Sequence, residues 1–265
     1  MTRTATIFAS QRSIRGEKMK YLVVWLAISL SLFGVSSSHE EKSAEATPAL
    51  QETRIIIPLQ FEPVVNENEN ITFVQGQDKG EIIEKRKIAD GEFFIYKKAN
   101  DQYEERYGGL RIGEKHYHFG QIGYGNDTSA ITIEAVEALG RKLLKVNGFR
   151  GANYRVTYYI QVQNQVPSVF LYVDGGAHYE GNMDGDPVII GSYAASISFQ
   201  TILYRMEGEQ LVYADLNKQL DEADSVRVTD DLLFEVRQKA DAIPQLYTYQ
   251  EKSLIPLNRT ASVSD

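Results

Sequence analysis

The chain has 265 residues, no cysteine and a formal net charge of −8. Thiol catalysis and disulfide bracing are therefore excluded. The acidic balance repels nucleic acid and anionic polymers, so neither is expected as a partner.

Residues 21–35 (YLVVWLAISLSLFGV) form the one long apolar run. It has the length of a signal-peptide core and is shorter than the roughly 20 residues a spanning helix needs. Lys20 precedes it and Ser36, Ser37 and Ser38 follow, as a signal peptidase requires. Residues 1–38 are read as a signal peptide, with Met19 as the true start. Leu32-Phe33-Gly34 opens like a lipobox, but Val35 stands where the lipidated cysteine belongs. The expected address is secreted or cell envelope, with membrane contact only if the segment stays uncleaved. Cleavage removes Arg3, Arg12, Arg15, Lys18 and Lys20 against Glu17 alone, so the remainder is more acidic still.

Residues 39–54 are charged, small and aperiodic, which reads as a flexible linker. Residues 66–70 (NENEN) read as a loop, and 259–265 as a tail. Asn70, Asn126 and Asn258 begin N-x-T triplets, read as chance matches in a bacterial protein. Between them, residues 55–258 form one β-rich domain, divisible into two halves near residue 140. In residues 154–162, Tyr154, Val156, Tyr158, Ile160 and Val162 alternate with Arg155, Thr157, Tyr159 and Gln161. That is the period of a strand. Residues 169–173 and 188–190 are continuous apolar runs, read as more deeply buried strands. GLRI-GEK-HYHF, LYRM-EGEQ-LVYA and QLYTY-QEK-SLIPL read as hairpins, and EFFIY as an arm of another. Residues 129–139 fit either a capped helix or a strand, and alternation of Ile131, Ile133 and Ala135 favours strand. Short helical turns are expected in 216–224 and 237–242. The fold class is mainly β: antiparallel hairpins or meanders in a propeller-like or sandwich array.

The most specific local pattern is Asn182-Met183-Asp184-Gly185-Asp186. Oxygen ligands at alternate positions around a glycine bend are the start of a calcium loop. Pro187 replaces a second glycine, and Ile190 and Tyr193 stand where a later acidic ligand is needed. The same residues fit a tight acidic turn between strands. His116 and His118 share one strand face and could ligate a metal if His178 or a carboxylate joined them. Tyr154 to Tyr159, with Tyr172 and Tyr179, could form an aromatic contact face for carbohydrate or peptide. Gly120 to Gly125 (GQIGYG) has no helix signal after it and reads as loop. No nucleophile elbow, P-loop or H-E-x-x-H motif occurs.

Asp184-Gly185-Asp186, the strand VIIGSYAAS and the hairpin TILYRMEGEQLVYADLN resemble the acidic-loop, strand, hairpin unit of FG-GAP-like repeats. With YGGLRIGEKHYHFGQIGYG and GRKLLKVNGFRGANYRVTYYI, residues 100–257 resemble uncharacterised secreted or lipoprotein-like proteins of Bacillus-type Gram-positive bacteria. Members carry a lipobox cysteine and a fuller D-x-D-G-D-G loop, and this chain departs from both. The resemblance implies a propeller-type repeat and no assigned activity. The functional expectation is a non-enzymatic binding or structural protein without a cofactor, unless the weak calcium loop is filled. The alternative is a metal-dependent hydrolase using His116 and His118.

Overall fold

The computed structural model describes residues 55–65, 72–74, 80–99, 101–125, 127–150, 154–195 and 198–257, with only the backbone described for 72–74, 195 and 198. The segments expected to be a signal peptide (1–38), a linker (39–54), a loop (66–70) and a tail (259–265), and the sequon asparagines, lie outside these residues. The chain from 51 to 265 gathers into one compact unit.

Three short strands come first: β1 (Ile57–Pro58), β2 (Glu62–Pro63) and β3 (Thr72–Val74). Four antiparallel meanders follow. The first is β4 (Glu81–Ile88), β5 (Gly91–Lys97), β6 (Glu105–Ile112) and β7 (Lys115–Tyr124). The second is β8 (Thr132–Ala138), β9 (Arg141–Phe149), β10 (Arg155–Gln163) and β11 (Val166–Asp174). The third is β12 (Ala177–Met183), β13 (Asp186–Ala195), β14 (Ser198–Glu207) and β15 (Gln210–Asp215). After the single-turn helix α1 (Leu216–Gln219) come β16 (Ser225–Val228), β17 (Phe234–Arg237), β18 (Gln245–Gln250) and β19 (Ser253–Pro256).

The mainly β, antiparallel expectation holds. Four-stranded antiparallel units start at residues 81, 132, 177 and 225. Residue 140, where a division into halves was expected, lies in the turn of the β8–β9 hairpin, whose arms pair from Thr132↔Asn147 to Ala138↔Arg141. Residues 129–139 supply β8 as alternation favoured. Residues 216–224 contain α1, capped by the Asp215 carboxylate accepting from the Lys218 N–H at 3.2 Å. Residues 237–242 form no helix: one turn closes from the Ala242 N–H to the Lys239 carbonyl, and Pro244 blocks its continuation. Gly120 to Tyr124 is strand, not loop, because Ile122 is buried in the core and β7 runs on to pair Glu105 with Tyr124.

Side-chain alternation stacks these sheets. Phe93, Ile95, Leu110 and Phe119 of the first meander pack on Val146, Val156, Tyr158 and Ile160 of the second. On the opposite face of the second meander, Leu143, Tyr159, Leu171 and Val173 pack on Ile189 and Tyr204 of the third. Thus β10 is covered on both faces, one more than its alternation announced. The apolar run at 188–190 has the same origin: Ile189 faces one core, while Val188 and Ile190 face another. That second core joins the third and fourth meanders, which share one ten-stranded sheet. There β14 gives one edge to β13 and divides the other between β15 and β16. Lys145 of β9 bridges to Glu180 of β12 and ties the second meander to the third.

The N-terminal segment runs outside these units. β1 adds to β19, β2 to β15 and β3 to β7, each the last strand of its meander. The Leu59 N–H to Lys252 carbonyl and Val64 N–H to Leu211 carbonyl bonds, 2.9 and 3.0 Å, extend the pairing. Pro58 and Pro63 suit this outer position, since neither can donate to a further strand. Leu59 is buried in the core beneath. Among the described residues no helix is long and apolar enough to cross a membrane.

Candidate functional site

Asp184 and Gly185 are the two central residues of the β12–β13 turn, with φ of 52° and 85°. Positive φ at both positions is the two-residue hairpin whose twist matches its strands, and Asp-Gly is its favoured sequence. The Asn182 side-chain oxygen accepts from the Gly185 N–H at 2.7 Å and closes the turn. One Asp184 oxygen accepts from the Glu251 N–H at 2.8 Å, docking this turn onto the β18–β19 turn. One Asp186 oxygen accepts from Arg205 Nη1 at 2.6 Å and from the Tyr249 hydroxyl at 3.1 Å. The three expected calcium ligands are therefore engaged by three different parts of the protein.

Arg205 was not singled out in the sequence. Its side chain is only 8% exposed against 30% for Asp186. Its guanidinium also lies 5.3 Å from the Phe61 ring centroid, so the N-terminal segment covers the pair. Burial above all pushes the Tyr249 hydroxyl up to about 12. It stays protonated through the neutral range and donates to Asp186. Nearby, Lys252 of the β18–β19 turn pairs with Glu207 at 2.8 Å, holding the β14–β15 turn to the same cluster. Because Asp184 already holds a backbone amide, Asp184→Ala is expected to lower the melting temperature by about 1–3 °C. The drop should be equal in chelator and in millimolar calcium. A melting temperature that climbs with calcium only in the parent protein would restore the ligand role.

His116 and His118 share a face of β7, as their spacing requires. Their surroundings are aromatic. Phe94 meets the two imidazoles edge-on, with ring centroids 5.8 and 5.5 Å away, and Tyr96 meets His118 at 4.7 Å. The bridge is Gly109, paired with Phe94 on one side and His118 on the other. A Cβ there would stand 2.2 Å from the Phe94 ring, so the missing side chain lets that ring lie across the strand. His178 belongs to another sheet, exposed at the irregularity in β12, and does not join them. Among the described residues no group of three or more His, Asp or Glu is placed to hold a metal.

The expected tyrosine face divides. Tyr158 and Tyr159 are fully buried on opposite sides of β10, and Tyr179 packs on the core of the third and fourth meanders. Tyr154 and Tyr172 remain half-buried at the end of the second meander, where Tyr193 of β13 joins them. Tyr154 and Tyr193 meet edge-on at 6.1 Å, and Tyr172 lies 4.9 Å from Tyr158. Arg150 Nη1 donates to the Tyr172 hydroxyl at 2.9 Å, which donates to Asp174 at 2.9 Å. Burial, reinforced by Asp174, pushes the Tyr154 hydroxyl up to about 12. No sequence pattern marks Arg150, Asp174 or Tyr193, because two separate strands, β11 and β13, and the two ends of the β9–β10 connection bring the cluster together. No protein-family model, curated protein or solved structure matches this chain.

Proposed function

We propose that the chain is an exported, non-enzymatic protein of the cell envelope or extracellular space that binds a ligand or partner. One observation carries the reading. The residues nearest to catalytic patterns, Asn182, Asp184, Asp186, His116 and His118, are occupied in closing a turn, pairing an arginine or packing rings. The apolar run at 21–35 and its serine-rich exit support export, and the absence of cysteine suits a chain that relies on its cores outside the cell. The acidic charge supports a partner other than nucleic acid.

A metal-dependent hydrolase is the second reading, favoured by the shared face of His116 and His118. Zinc analysis of the purified protein separates the two. We expect well under one equivalent of zinc, unchanged in a His116→Ala, His118→Ala double variant. One equivalent that disappears in that variant would establish the hydrolase instead.

A further inference from the structure

The geometry points to a neutral saccharide as the ligand, bound where the second and third meanders meet, at Tyr154, Tyr172, Tyr193, Arg150 and Asp174. This assignment rests on the binding-protein reading above and gives it a site and a ligand class.

Three features of that place converge. The first is rigidity. Tyr172 leans at a tilt on Tyr158, which is fully buried, and Tyr154 is braced edge-on by Tyr193. Half-buried rings held in place offer flat apolar area at little cost in side-chain entropy. The C–H face of a pyranose matches such a surface.

The second is the polar order beside the rings. Arg150 supplies a donor, the Tyr172 hydroxyl accepts and donates, and Asp174 supplies an acceptor, in a chain of two 2.9 Å bonds. Adjacent sugar hydroxyls present the same alternation of donor and acceptor. Arg150 and Asp174 are both exposed, so neither is sealed away from a ligand. Their charges offset each other, which favours an uncharged ligand. Burial raises the Tyr154 and Tyr172 hydroxyls, so these two stay protonated and add none.

The third is the construction of the junction. A Cβ on Gly175 would stand 2.2 Å from Tyr193 Cβ, and one on Gly176 would stand 2.9 Å from Arg155 Cβ. The two glycines let the β11–β12 turn press onto both neighbours, which draws Tyr193 of one meander to Tyr154 of another.

The test is calorimetric and NMR titration of the purified protein with three uncharged tetrasaccharides: maltotetraose, cellotetraose and N-acetylated chitotetraose. At least one is expected to bind saturably and shift amides of residues 172–176 and 193. Tyr193→Ala should weaken it about tenfold, and Tyr172→Phe, which keeps the ring, about three- to tenfold. Tyr103→Ala, an exposed tyrosine elsewhere, should change nothing. Circular dichroism and melting temperature confirm that each variant folds, and Asp174→Asn replaces any that does not. Binding that survives Tyr193→Ala and Asp174→Asn overturns the site and leaves the binding reading standing. No binding by any of the three overturns the ligand class. An acidic tetrasaccharide bound more than tenfold tighter overturns the neutral assignment, with Arg155 as its source. Cleavage of a bound tetrasaccharide overturns the non-enzymatic reading itself.

Discussion

Arg205→Ala is expected to lower the free energy of unfolding by about 3–5 kcal/mol, the range for removing one partner of a buried ion pair. The truncation leaves Asp186 facing Tyr249 with no positive charge and empties the space beneath Phe61. Partial exposure of Asp186 lets water relieve some of the loss, which places the result toward the lower end of that range. Tyr249→Phe removes only a hydroxyl and should cost about 1 kcal/mol. Equilibrium urea unfolding of both variants checks the order. A loss below about 1 kcal/mol for Arg205→Ala would mean that the pair is not sealed from solvent.

The second large effect belongs to Gly148 of β9. A Cβ at that position would lie 2.2 Å from the Ile122 carbonyl oxygen and 2.8 Å from its carbon. These are backbone atoms of β7, so no flexible side chain can yield. Here the first and second meanders approach backbone to backbone. Gly148→Ala is expected to cost about 2–3 kcal/mol, the upper part of the range for overpacking a core. It should also loosen the first meander more than the third, which hydrogen exchange of the Phe93 and Ile95 amides against those of Ile189 and Ile190 would report. Equal loosening in both would mean that the stack yields as a whole.

Much of this architecture is legible in the chain. The alternation from Tyr154 to Val162 gives β10 and one of its faces. The turns around Gly113, Gly208 and residues 250–252 give three hairpins. Uninterrupted apolar residues at 188–190 announce a buried strand, though not that separate cores lie on its two sides. Local periodicity does this well because it depends only on neighbours along the chain. Partners far apart leave no such trace. Nothing near Asp186 names Tyr249, 63 residues away. A loop and a strand also look alike when glycines dominate, which is why Gly120 to Tyr124 misleads until Ile122 is seen inside the core. The Asn182 to Asp186 pattern shows the same limit. Its spacing suits a calcium loop and a tight Asp-Gly turn equally, and what distinguishes them is the identity of the groups that approach from Arg205, Tyr249 and Glu251.

The placement of β1, β2 and β3 along the ends of three meanders has a temporal consequence. Residues made earlier complete edges made later: Ile57 waits for Leu254, and Glu62 for Tyr213. A growing chain can assemble each meander as it emerges, and β3 can seat as soon as β7 exists, yet β2 must wait for β15 and β1 for β19. Folding is therefore expected in two acts, quick local assembly followed by a late closure of Ile57 onto Leu254, the longest-range strand pairing among the described residues.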